Sequence, residues 1–471
     1  MKISFVGHAA ILVEAGGVRV LSDPWWRAPC FGAQWWNYPP ADLGAVTEQP
    51  LDYIYVSHGH HDHLHHGTLK SLPRSAKVLV SSALDLAAGI RELGFEVIEI
   101  GPDEEFTLGA GGLKCRLKPT YALDTMMVLS DGEQSCANIN DALHSAPASV
   151  QAAMVEWLRA HYGVIDYVFC GYGTASHFPN CYSIPGKNRV ATAALRQSYF
   201  NRQWARLIED LSPRFGFPFA ADVVFLEESL QWVNEPSHNA ERPTDAFRKM
   251  YPASKVQTYD VAPGFVIEDG KVLKCELRKP ILMTEVLETM GEQVTRANYY
   301  GRISEEDVDE VGKLVSEVVG ECREYLQTYE GDYRFMVRLH NTLRAVIVEK
   351  LAGNVDARTL DLVEGNVPDC DLVYRTRLHY LKRSLTEKYG NETLFVGSGG
   401  IFEYQEQSKA RRNLHRELQL LLKRRQGSLP SRYGQSSRNM FRAKELVKKL
   451  MGIRRPDLYD LGAWTVFDKQ R

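Results

Sequence analysis

Short apolar runs punctuated by glycine open the chain: ISFVG, then AAILVEAGG, then VRVLSDP. Runs of this length, rich in β-branched residues and closed by Gly, Asp or Pro, predict strands joined by tight turns. Tyr53 to Val56 is another such run, and Gly67 to Leu72 is expected to begin a helix. From Ala146 to His161 the period changes: Val150, Ala153, Met154, Trp157 and Leu158 recur at helical spacing. An apolar strand run, Val164 to Cys170, comes next. Arg189 to Asp210 reads as a helix, Asp222 to Leu226 as a strand, and Phe265 to Leu273 as a hairpin turning at Asp269-Gly270. A second hairpin is expected from Thr125 to Asp141 around Asp131-Gly132. Strands interleaved with helices predict an α/β domain whose sheets are covered by helices. We place its end near Lys279-Pro280, giving residues 1–280 as one domain and 281–471 as a mainly helical C-terminal region. Helical pattern runs to about residue 350, with Ser304 and Asp307 at capping-box spacing. A shorter mixed segment follows, with Thr393 to Val396 and the Ser398-Gly399-Gly400 turn. No internal repeat stands out.

Composition excludes several classes. Of 471 residues, 44% are hydrophobic and 24% charged, which is globular usage rather than disorder. No apolar run approaches the roughly 18 residues that a membrane span needs. The N-terminus reads as strand and turn, so it is expected to begin the fold rather than serve as a leader. Eight scattered cysteines form no CxxC pair, which argues against a zinc ribbon or a disulfide framework and makes a cytoplasmic location the expectation. The net charge of −3 conceals a split. Lys409 to Arg455 holds 15 Lys+Arg against 2 Glu, leaving 41 against 57 Asp+Glu elsewhere. Leucine stripes at 414, 418, 421 and 422 accompany that charge. Such basic amphipathic segments dock on an acidic partner, another subunit, a membrane surface or the chain's own acidic body. No motif supports nucleic-acid binding.

The histidines carry the chemistry. Six of the fourteen fall at 58, 60, 61, 63, 65 and 66, on a loop between the Tyr53 strand and the following helix. Within it runs His58-x-His60-x-Asp62-His63. Imidazole and carboxylate are ligands for zinc, iron or manganese. An extended start to the loop sends His58 and His60 the same way, and Asp62 and His63 can then face a second metal. His61, His65 and His66 are read as supporting or surface residues.

The HxHxDH loop after a strand resembles the metallo-β-lactamase superfamily. Gly7-His8-Ala9, the Gly16-Gly17 turn and Asp23-Pro24 strengthen that resemblance. The stretch SDPWWRAPCFGAQWWNYPPAD is similar to the catalytic domain of the CMP-N-acetylneuraminic acid hydroxylases, as are Gly171-Tyr172-Gly173-Thr174-Ala175-Ser176, Phe178-Pro179, Cys181-Tyr182 and Phe217-Pro218-Phe219-Ala220. The resemblance covers roughly residues 1 to 280 and implies the αββα sandwich of that superfamily. It also implies further ligands. Where a third histidine is usual, residues 118–124 offer only Asp124. Asp141 is the expected bridging ligand. Glu227 is preferred to His238 for the last position, and His177 is a further candidate. Asp23 either orients a ligating imidazole or is a turn residue. His8 either faces the metal pocket or serves as a core or cap residue. Trp25 and Trp26 either wall a substrate or pack the loop on the core. Relatives of the hydroxylase type carry Rieske Cys-x-His and Cys-x-x-His ligand pairs, which this sequence lacks.

Carboxylates in place of imidazoles favour iron, with manganese and zinc as alternatives. The expectation is therefore two metal ions held by His58, His60, Asp62, His63 and Asp141, with Asp124 and Glu227 as further ligands. The implied activity is an oxygenase that hydroxylates an anionic small molecule, such as a nucleotide sugar or an amino-acid derivative, with electrons from an external donor. The alternative is a hydrolase of a phosphodiester, lactone or amide, in which Asp62 or Asp141 takes the proton of a metal-activated water. A scaffold whose basic tail is the functional part is the third reading.

Overall fold

The computed structural model describes residues 1–405 except 103, 121–123, 145, 174–177, 240, 328–330, 363–367 and 388–389. The basic segment from Lys409 to Arg455 lies outside these residues. The chain forms two compact units, Met1–Thr174 with Ala194–Met290, and Ala175–Ala193 with Gly291–Arg471. The break thus falls ten residues beyond the expected one, and residues 175–193 belong to the second unit.

Two sheets build the first unit. Among the described residues, one has eight strands in the order Lys271–Lys274, Val266–Glu268, Lys2–Gly7, Ala10–Ala15, Val18–Ser22, Tyr53–Tyr55, Lys77–Ser81 and Val97–Ile100. The other has seven, in the order Gln257–Thr258, Phe215–Phe219, Tyr167–Gly171, Ser135–Asn140, Thr125–Ser130, Leu113–Pro119 and Phe106–Leu108. The alternation read from the sequence explains the layers. Inward positions such as Ile3, Phe5, Ile11 and Val13 meet Leu117, Met127, Phe169 and Phe217 in a shared core between the sheets. Phe169 stacks on Phe217 with ring centroids 4.5 Å apart. Outward positions pack under helices: Val128, Ile139 and Val168 against Val155, Leu158, Trp204 and Ile208 on one side, and Leu12, Ile54 and Val78 against Leu69 and Ile90 on the other. This is the expected αββα sandwich.

Topology places the chemistry. Val18–Ser22, Tyr53–Tyr55 and Lys77–Ser81 run parallel, as do Ser135–Asn140, Tyr167–Gly171 and Phe215–Phe219. Carboxyl ends of parallel strands are where open α/β sheets gather ligand sites. Here those ends lead into Asp23, Ser57-His58, Asp141 and Ala220 to Asp222.

The second unit departs from the mainly helical expectation. The capping box is present: Ser304 Oγ accepts from Asp307 N–H at 3.1 Å and opens the helix Glu305–Glu321. The helical stretch ends at Gln327, however. Strands Tyr333–Leu339, Arg344–Leu351, Asn354–Asp361, Leu372–Thr376 and Gly400–Tyr404 follow, and with Tyr182–Ser183 they make a six-stranded sheet among the described residues. In Arg344–Leu351 the residues Ala345 to Val348 are all buried, so no two-residue period separates this strand from a helix segment. Gly390–Thr393 is a 3₁₀ turn within the expected mixed segment. No helix among the described residues is long and apolar enough to cross a membrane.

The sheet-to-sheet core predicts the cost of a cavity. Phe169→Ala should lower the stability of the first unit by about 3–5 kcal/mol. Denaturant titration followed by tryptophan fluorescence checks this, as the first unit holds Trp204 in its core.

Candidate metal centre

The centre is organised from behind by a buried carboxylate and a hydroxyl. Asp23 sits just past the strand Val18–Ser22 at φ 36°. Its Oδ1 accepts from Ser57 N–H at 2.8 Å, and its Oδ2 accepts from Ser57 Oγ at 2.7 Å and lies 2.9 Å from His63 Nδ1. The Ser57 hydroxyl proton is thereby committed to Asp23. His58 Nδ1, 2.9 Å from Ser57 Oγ, must then be the donor of that bond. In their neutral forms, as a metal would bind them, both imidazoles have Nε2 as the unprotonated nitrogen.

Those nitrogens point into one space. His58 Nε2 stands 2.8 Å from His60 Nδ1. Two ring nitrogens that close need a positive centre between them, either a shared proton or a cation. His63 Nε2 is buried with no hydrogen-bond partner, 3.5 Å from Asp62 Oδ2 and 3.6 Å from Asp141 Oδ2. Two groups have ligand atoms close enough for one ion: His58, His63 and Asp141, and His8, Asp62 and His63. The orphaned Nε2 and the paired nitrogens fit a divalent metal. Gly171 makes room, because a Cβ there would lie 2.8 Å from both Asn140 O and Asp141 Oδ1.

Electrostatics agree with a cation site. Burial would raise the Asp62 carboxyl, but His63, the bond to His8 and the other imidazoles outweigh it and hold the group below the usual carboxylate range. Asp141 is likewise held down, chiefly by His63 against its own burial. Burial disfavours an imidazolium at His63, yet Asp62, Asp23 and Asp141 outweigh it and raise its pKa well above normal. Without a metal, therefore, His63 is favoured as an imidazolium, its Nδ1–H facing Asp23 and its Nε2–H facing Asp62 and Asp141. Burial and the neighbouring imidazoles keep His58 neutral.

The remaining sequence candidates are placed as follows. Asp124 Oδ1 is 3.9 Å from His58 Nδ1, the ring edge facing away from His60, and burial with Asp141 raises its pKa to about 7. Glu227 accepts from Gln34 Nε2 at 2.8 Å and Ser229 Oγ at 3.0 Å and belongs to neither ligand group. His238 is a structural residue: its Nε2 meets the Val223 carbonyl at 2.6 Å. His177 lies outside the described residues. His8 is in the pocket, its Nε2 3.1 Å from Asp62 Oδ2. Trp25 is fully buried edge-on to His8 at 4.9 Å, so it backs the centre, and Trp26 is half-buried. His65 caps the helix His66–Leu69 by accepting from Thr68 N–H, while His61 stacks on Phe31. The roles of Ser57, Gly171 and Asp222 at the centre escaped the sequence reading. The Ser directly before His58 and the Gly closing the Val164 to Cys170 run were the available signals.

Residues 2–126 match the family described as the beta-lactamase superfamily domain. The chain is 27% identical over 258 residues to a provisionally named Rieske 2Fe-2S iron-sulfur protein of Mycobacterium tuberculosis, covering 50% of this chain and 46% of that protein. It is 25% identical over 295 residues to the mouse cytidine monophosphate-N-acetylneuraminic acid hydroxylase, covering 58% and 48%. The chain thus spans about half the length of these relatives. Among solved structures it is similar to CmlA, a diiron beta-hydroxylase from Streptomyces venezuelae, with 17% identity, a TM-score of 0.39, and coverage of 57% of this chain and 54% of the other. The match of residues 2–126 to the family model is what carries the superfamily resemblance for the N-terminal part of the chain.

Two measurements follow from this geometry. Gly171→Ala should push Asp141 out of place and weaken metal binding about 10–100-fold, as supporting residues of metal sites do. Metal titration beside an unchanged near-ultraviolet dichroism spectrum checks it. His238 is one of several buried histidines that make stability depend on pH. Its burial, only partly offset by the Val223 carbonyl, brings its pKa down to about 4. Between that value and the ordinary histidine pKa near 6.5, the unfolded chain takes up a proton that the folded chain refuses, so stability falls as pH drops. Unfolding midpoints at pH 7 and 5 should differ by on the order of 2 kcal/mol from this residue, and His238→Gln should remove that difference.

Proposed function

We propose that the first unit, a metallo-β-lactamase-type domain, is a metal-dependent oxygenase acting on an anionic small molecule. The donor set carries the reading: His58 and His63 come together with Asp141, His63 also meets Asp62, and His60 Nδ1 lies against His58 Nε2. Mixed imidazole and carboxylate donors suit iron, with manganese and zinc as the alternatives. A pair of iron ions bound there would supply O2 activation. Asp23 and Ser57 hold two imidazoles with their ligating edges inward. Asp141, its side chain 21% exposed against 0% for His63, lies on the side open to substrate. Similarity to the CMP-sialic acid hydroxylase supports a nucleotide-linked sugar as substrate, with an amino-acid derivative as the other class. The iron–sulfur name of the mycobacterial relative supports an external electron donor.

A hydrolase is the second reading, and one observation favours it. Asp141 is held ionised at the solvent-facing edge, where a general base would take a proton from water.

Elemental analysis of protein from iron- and zinc-replete cells, with optical spectra of the reduced sample before and after O2, decides between them. The oxygenase predicts about two irons per chain and an O2-dependent band. About two zincs and no response to O2 would overturn it in favour of the hydrolase. His60→Ala should remove one of the two ions.

A further inference from the structure

The turn that carries His8 is clasped by a segment far away in sequence. His8 N–H donates to Asp222 Oδ2 at 3.2 Å, and Asp222 N–H donates back to His8 Nδ1 at 3.2 Å. The His8 carbonyl accepts from Ala220 N–H at 2.9 Å. His8 and Ala220 both adopt left-handed backbone, at φ 49° and 57°, which side chains other than glycine rarely occupy. Three reciprocal bonds hold that strain. Asp222 itself is buried and paired with Arg278.

This clasp has a chemical consequence. A ring nitrogen that accepts a bond from a backbone N–H carries no proton. The proton of neutral His8 is then on Nε2, the atom 3.1 Å from Asp62 Oδ2. A histidine ligates metal through an unprotonated nitrogen, and ligation by Nε2 here would require an imidazolate. Proximity alone groups His8 with Asp62 and His63 as one set of ligands. The bond from Asp222 argues against that set.

We propose that Asp222 fixes His8 as the Nε2-protonated tautomer, so that His8 is a hydrogen-bond donor to Asp62 and stands outside the metal's coordination. Asp222, braced by Arg278, is thereby a positioning residue. The proposal rests on the reading of Asp62 as a metal ligand only in its second half, since the tautomer is a property of the metal-free chain.

Long-range proton–nitrogen correlation spectra of the full chain, labelled with 15N-histidine, test it. His8 is assigned by its loss in His8→Gln. The metal-free protein should show His8 with a protonated Nε2 and an unprotonated Nδ1, and the pattern should persist when Zn2+ is added. A protonated Nδ1, or loss of the Nε2 proton with zinc, would overturn the proposal. His8→Gln keeps an N–H able to reach Asp62 and should bind as much zinc per chain as the parent; a loss of one ion would make His8 a ligand. Asp222→Ala keeps the amide that donates to His8 Nδ1 but removes the carboxylate that ties it to His8 N–H and Arg278, so the turn should loosen and give His8 signals of mixed tautomers, with Asp222→Asn as the milder variant if the first does not fold. Unchanged His8 signals in either folded variant would remove Asp222 from the role. A parent chain that shows the tautomer but takes up no zinc would refute the metal-enzyme reading and leave the tautomer assignment standing.

Discussion

A buried carboxylate must be paired and hydrogen-bonded to survive away from water. Asp23 meets that demand with three donors, the Ser57 amide, the Ser57 hydroxyl and the His63 imidazole. Its own N–H bonds to Tyr55 O at 2.8 Å, so the ladder between two parallel strands runs on into the site. The rest of the centre inherits its order from that arrangement. Ser57 passes the constraint to His58, and His63 is held directly. A shift in the register of these strands would move both imidazoles together, which ties the chemistry to the packing of the sheet.

The opposite wall is held by the later half of the first unit. Asp222 and Ala220 grip the turn at His8, Arg278 braces Asp222, and Trp25 closes against the His8 ring. Strain collects in the same place: His8, Asp23, Asn140 and Ala220 all hold left-handed backbone. Non-glycine residues in that region cost energy that surrounding contacts must offset, and such residues gather at functional sites. Here each lies at or next to the carboxyl end of a strand.

The sequence was legible where a local pattern carried the information. The HxHxDH spacing, the run before it and the Asp131-Gly132 hairpin led to a sandwich whose strands and loops fall where they were expected. Asp141 could be chosen because it follows that hairpin directly. Ser57 and Asp222 could not be chosen in this way, since their roles consist of bonds to residues remote in sequence. Glu227 shows the limit of an argument from superfamily order. It stands where the superfamily's order suggests a ligand, but Gln34 and Ser229 engage its carboxylate. The strands between Tyr333 and Asp361 were missed for a different reason. The run Ala345 to Val348 is buried without a break, so it lacks the alternation that tells a strand from a buried helix segment.

The second unit is not contiguous. Residue Tyr182 pairs with Phe402 in its sheet, although the chain returns to the first unit in between. During synthesis the early strand emerges long before its partner, on the order of ten seconds or more at about 5–20 residues per second. The segment must wait for its partner strand, with Cys181 and Tyr182 still uncovered, while the sandwich of the first unit can already close. Assembly of this protein is therefore a matter of order as well as stability. The first unit can mature while the chain is still growing, and the second can be completed only when nearly all of it has been made.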